Sequence, residues 1–227
     1  MQNFVSIHNI VKKSGLYNFQ GCKIPIYSKI NILFLRSLLQ NYSDAQVCDF
    51  LEYGWPVGHD GSPFRSSFSR NHSGATDFPD DIAKYLKKES SYKAIVGPFK
   101  ANPFSCPSAL SPLNSVPKKD STERRVIVDL SFPEGEAVNS GIFKDRYLGD
   151  EISVSYPTVD DFIMLIKSKG QGCRMFKRDL KRAYRQLVVD PGDIHLLGYK
   201  WRGHSSHVSL IFFCKRNQNF ILGIFLS

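Results

Sequence analysis

The sequence predicts an α+β fold in which a mostly helical N-terminal region precedes interleaved strands and helices. Three observations predict it. Apolar residues recur at helical spacing through the first ninety positions, β-branched and aromatic runs begin near Ser91, and proline and glycine separate the two kinds of segment. At 227 residues the chain is long enough to bury a core. Its 42% apolar and 22% charged residues are an ordinary globular balance and argue against global disorder.

Residues 31–40 carry Ile32, Leu33, Leu35, Leu38 and Leu39 at the spacing of a helix. Ser43 is a good N-cap for a second helix over 44–53, and Gly54 is a natural stop. Residues 55–76, rich in Gly, Ser, Pro and Asn, read as a loop. A third helix starts near Pro79, which suits a first-turn position, and runs to about Glu89 with Ile82, Tyr85 and Leu86 as apolar marks. Residues 92–99 and 126–130 have the composition of strands. Five prolines between Gly97 and Pro117 leave an extended edge or a loop there, not a helix. Thr158 and Asp161 have the spacing of a capping box, and the helix behind them carries Val159, Phe162, Ile163 and Ile166 on one stripe before Gly170 and Gly172 close it. A short strand over 174–177 is expected to end at Asp179. Another, over 194–201, follows the turn of residues 190–193.

Several classes of function drop out. The longest apolar stretches, 208–213 and 220–226, are separated by the polar run 214–219, so no membrane span is expected. Residues 1–15 lack the apolar centre and cleavage site of a signal peptide. The five cysteines are scattered and form no Cys-x-x-Cys pair. That disfavours a disulfide scaffold or a structural zinc site and points to a reducing compartment, the cytoplasm or nucleus. His204 and His207 lack a third ligand at suitable spacing, so these and His195 read as surface histidines. No phosphate-binding Gly-rich loop with Gly-Lys and no Gly-x-Ser-x-Gly elbow occurs.

The net charge of +9 favours polyanionic partners, and it is concentrated. Residues 174–185 hold Arg174, Lys177, Arg178, Lys181, Arg182 and Arg185 against one acid, Asp179. A lone carboxylate at a strand end among cations has its ionised form favoured and suits a divalent metal beside phosphates. Residues 118–125 hold Lys118, Lys119, Arg124 and Arg125 against Asp120 and Glu123. The extended runs 111–119 and 124–130, joined by residues 120–123, predict a hairpin with Lys118 and Arg125 near its tip on opposite strands. A lysine point charge and an arginine fork can grip the two ends of a triphosphate.

Together these residues resemble a reverse transcriptase over its fingers and the first part of its palm. Residues 118–125 (Lys-Lys-Asp-Ser-Thr-Glu-Arg-Arg), followed by Val-Ile-Val-Asp to Asp129, are similar to the fingers hairpin. Residues 176–186 are similar to the first palm motif, Asp-x-x-x-Ala-Tyr. The flanking segments 111–117 and 129–139 also fit, and the wording is nearest to DIRS-type and gypsy-type retroelements. The likeness extends from about Ser91 to Gly203. It implies a partial right-hand polymerase: a helical region of unknown role over 1–90, a fingers-like β-rich region over 91–150, the start of a palm over 151–203, and a divergent tail over 204–227. It further implies that Asp179 ligates catalytic Mg²⁺ with help from the backbone carbonyl of Leu180. Lys118 and Arg125 would hold the β- and γ-phosphates of a deoxynucleoside triphosphate, and the Tyr184 ring would lie under its sugar. Lys119, Arg124, Lys177, Arg178, Lys181, Arg182 and Arg185 would contact template and primer.

The chain also departs from that family. No Asp-Asp pair follows residue 161, so the Tyr-x-Asp-Asp hairpin is missing, and no Leu-Pro-Phe-Gly follows Gly203. Residues 205–227 look like shifted-frame or intron-derived sequence on a truncated gene. One carboxylate cannot hold two metals for in-line transfer. The expectation is therefore a retroelement polymerase fragment that is inactive alone, with an incomplete, exposed palm sheet. The alternative is a non-catalytic basic module that binds nucleic acid through the same cations.

Overall fold

The computed structural model describes residues 30–44, 46–66, 70–153, 155–176, 187–202 and 209–213. It is a mixed helix and sheet structure with small antiparallel sheets. Helix α1 (Ile32–Leu38) is capped by Asn31, whose side chain accepts from the Phe34 N–H. Helix α2 (Gln46–Tyr53) begins later than expected. The carboxylate of Asp44, not the hydroxyl of Ser43, accepts the Gln46 N–H at 3.0 Å. Gly54, at φ +106°, closes it as predicted. The expected loop over 55–76 is shortened by a helical turn, α3 (Ser73–Asp77), and α4 (Pro79–Ser91) follows with Pro79 at its start. The His72 N–H bonds the Leu113 carbonyl at 3.0 Å, which seats α3 on the strand that begins there.

Strand β1 (Ile95–Phe99) starts three residues after the predicted one, because Tyr92 caps α4 and Lys93 turns the chain at φ +53°. Strands β2 (Leu113–Pro117) and β3 (Arg124–Val128) pair antiparallel as the predicted hairpin, in the register Pro117 with Arg124 and Val116 with Arg125. A 3₁₀ turn (Val138–Gly141) and a two-residue ribbon, β4 (Arg146–Tyr147) with β5 (Asp150–Glu151), lead to α5 (Val159–Lys169). Thr158 and Asp161 close the expected capping box. The apolar stripe of α5, however, is not core: Val159 is 75% exposed and Phe162 51%.

Two further expectations need correcting. Residues 174–176 form no strand, and Lys177 lies outside the described residues. The predicted strand over 194–201 is instead a 3₁₀ helix (Pro191–Leu196) followed by β6 (Gly198–Trp201). The Asp190 side chain accepts the Gly192 N–H at 2.7 Å and Pro191 takes the first helical position, so the turn winds on as a helix.

The main sheet has the order β1-β7-β6, with β7 (Ser209–Phe213) antiparallel to both neighbours. Its centre is thus built from the segment read in sequence as a divergent tail. Leu210, Ile211, Phe212 and Phe213 are all buried, the continuous apolar pattern of a strand covered on both faces. The hairpin is tied to this sheet at its base. The Ser111 N–H donates to Gly198 O at 2.9 Å and the Gly198 N–H to Ala109 O at 3.2 Å, so residues 109–111 run parallel beside β6. The larger core lies between the sheet, α4 and the inner face of the hairpin, with Ile82, Leu113, Val128 and Tyr199 fully enclosed. A smaller cluster joins Phe50, Trp55 and Tyr147, whose hydroxyl donates to Pro56 O at 2.9 Å. Among the described residues no helix is long and apolar enough to cross a membrane.

Candidate phosphate-binding hairpin

The register of β2 and β3 sorts the hairpin's side chains onto two faces, since alternate residues of a strand point to opposite sides. Leu113, Ser115, Val126 and Val128 face inward and Arg124 joins them. Asn114, Val116, Lys118, Glu123, Arg125 and Ile127 take the outer face, none of them buried. The Lys118 N–H donates to Glu123 O at 3.0 Å and the Glu123 N–H donates to Ser121 Oγ at 3.0 Å, so the turn extends the ladder by one pair. Lys118 and Arg125 are therefore diagonal neighbours on one outer face, on opposite strands near the tip, as the sequence predicts.

The four hairpin cations differ in their commitments. Arg124 is held by the fold: its Nε donates to Ser115 Oγ at 3.0 Å and its Nη2 to Ser115 O at 2.7 Å. Its guanidinium carbon also lies 3.5 Å above the Phe78 ring centroid, and Nε is 4.0 Å from the Asp81 carboxylate. With a side chain only 18% exposed, it joins the hairpin to the start of α4. Arg125 and Lys119 are exposed and make no ion pair among the described residues. The Lys118 ammonium is hydrogen bonded to the Glu123 carboxylate. That bond, then the Lys118 charge, and further the charges of Lys84 and Lys88 on α4 hold the Glu123 carboxyl below the usual carboxylate range.

Asp179, Leu180 and Tyr184 lie outside the described residues, as do Lys177, Arg178, Lys181, Arg182 and Arg185. His204 and His207 do too. His195 is partly buried, with its ring 6.2 Å from that of Phe64 and 6.3 Å from that of Phe104. Its Nδ1 lies 2.7 Å from Gly192 O. Among the described residues no group of three or more His, Cys, Asp or Glu side chains could hold a metal ion.

Sequence reasoning missed Lys84 and Lys88. Their signal was the i, i+4 spacing on the polar face of α4, but only folding brings that face to the hairpin turn. It also missed the pairing of His72 Nε2 with Asp129 Oδ2 at 3.1 Å, between residues far apart in the chain. No protein-family model and no curated protein sequence matches the chain.

Proposed function

We propose that this chain carries the nucleotide-gripping fingers and the beginning of the palm of a retroelement reverse transcriptase, and that these 227 residues do not polymerise DNA by themselves. The observation that carries the reading is the two-faced hairpin. One face is spent on packing, through Arg124, and the other carries exposed Arg125 beside Lys118, which is paired with Glu123. A point charge and a planar fork on adjacent strands suit neighbouring phosphates of one nucleotide. Phosphoryl transfer depends on cations that offset charge on the leaving phosphates, and on positioned metals. Of the expected carboxylates only Asp179 is present in its motif, which is why the chain alone is read as inactive.

Binding of fluorescent dTTP, followed by anisotropy, tests the grip. Lys118→Gln and Arg125→Gln should each weaken it about tenfold or more, the cost of losing one charge-assisted contact. Unchanged affinity in both variants would reject the reading. Primer extension on poly(rA)/oligo(dT) should show no synthesis by the wild type. Synthesis that vanishes in Asp179→Ala would overturn the inactivity. A non-catalytic nucleic-acid module is the second reading. Lys119, Lys84 and Lys88 favour it by spreading charge beyond what one nucleotide needs. It predicts salt-sensitive duplex binding that dTTP does not displace.

A further inference from the structure

The outer face of the hairpin contains its own acid. Glu123 is the cross-strand partner of Lys118, and its backbone is fixed at both polar groups: its carbonyl accepts from Lys118 N and its N–H donates to Ser121 Oγ. The side chain is thereby aimed along the same face as Lys118 and Arg125, and its carboxylate takes the Lys118 ammonium. Lys84 and Lys88, exposed and one turn apart on α4, also bear on it. Lys118 is the ammonium bonded to this carboxylate, and Lys84 and Lys88 act on it only as more distant charges. The other acid of the turn, Asp120, is exposed and makes no ion pair among the described residues.

We propose that Glu123 is a built-in competitor for phosphate: it occupies Lys118 until an incoming phosphate oxygen displaces it, and so sets how tightly and selectively the hairpin takes anions. The proposal rests on the reading of the hairpin as a phosphate-binding element. A carboxylate carries one charge, whereas a triphosphate or a strand of nucleic acid brings several that also engage Arg125. Polyphosphates displace Glu123, and weak monovalent anions do not. An exposed pair is a modest barrier, so the gate tunes affinity without closing the site.

The test compares wild type, Glu123→Gln and Asp120→Asn in two arms, one with fluorescent dTTP and one with a fluorescent single-stranded oligodeoxynucleotide, each titrated over salt. Glu123→Gln should tighten binding about two- to fivefold, the worth of one exposed ion pair. In the oligonucleotide arm it should also steepen the salt dependence, because Lys118 then counts as a full phosphate contact. The arm showing the gain identifies the source of the phosphate. In a Lys118→Gln background the gain should disappear. An equal gain in Asp120→Asn, or a gain that survives without Lys118, would reduce the effect to net charge and overturn the gate. Wild type and Glu123→Gln binding alike would overturn it too, leaving the hairpin reading in place. No binding by either protein in either arm would remove both.

Discussion

Asp193 shows how one side chain can join distant parts of the chain at a cost. Its Oδ2 accepts the Val57 N–H at 2.7 Å, across 136 positions of sequence, beside the bridge between Trp55 and Val189. Burial raises its pKa, against the pull of that hydrogen bond. A carboxyl whose folded pKa is raised binds its proton more tightly in the native state, so stability falls as pH rises from the ordinary value of 3.8 through the raised one. At neutral pH the ionised group is a liability. Asp193→Asn keeps an oxygen for Val57 and removes the charge. Urea unfolding should place the variant above wild type at pH 7.5. A variant no more stable than wild type there would contradict the assignment. His59, whose burial lowers its pKa, acts in the opposite sense and loses stability as pH falls below 6.5. Asp193 partly offsets that lowering, so Asp193→Asn also removes a charge that favours protonated His59, and the comparison is read above pH 6.5, where His59 is neutral in both proteins.

At the level of whole elements the hairpin is the best-anchored unit near the candidate site. Arg124 clamps it to α4, and α3 lies against β2 at close range. Gly74 makes that approach possible: a Cβ there would stand 2.3 Å from Ser115 O and 2.4 Å from Asn114 Oδ1. Gly74→Ala must push α3 off the strand, at a cost of about 1–3 kcal/mol, the range for overpacking. Thermal unfolding reads this directly, and an unshifted midpoint would mean that α3 does not bear on β2. Helix α5 is the opposite case. Its capping box was legible because Thr158 and Asp161 are local partners, yet its stripe of Val159, Phe162 and Ile163 stays in solvent. Periodicity reports that a helix has an apolar side, but not that a neighbour covers it.

In the molecule as a whole, β7 holds the sheet together. It lies between β1 and β6, and Phe212 is fully buried with its ring 4.8 Å from that of Phe104. Phe212→Ala should cost about 3–5 kcal/mol and lower the urea midpoint with little change in slope. A cost below about 1 kcal/mol would show that the sheet does not depend on this strand.

The helices α1, α2 and α4, the capping box and the basic hairpin were legible in the sequence because each rests on neighbours within a few residues: apolar spacing, a closing glycine, a Thr cap, a first-turn proline, a short turn between β-rich runs. Asp179, which the resemblance implies as a metal ligand, lies outside the described residues. Residues 209–213 were read only as an apolar stretch within a divergent tail; their pairing with β6 is nearby in sequence, but their pairing with β1 joins residues more than a hundred positions apart. The sequence by itself determined which segments wind, which extend and where the positive charge is carried, since those follow from short-range sterics and counting. Only the tertiary structure decided that residues 209–213 of the apparent tail form the central strand, that Arg124 is consumed by packing while Arg125 makes no ion pair among the described residues, and that Glu123 sits on Lys118. Strand order and the choice of face are settled by burial between distant segments, and no local pattern encodes them.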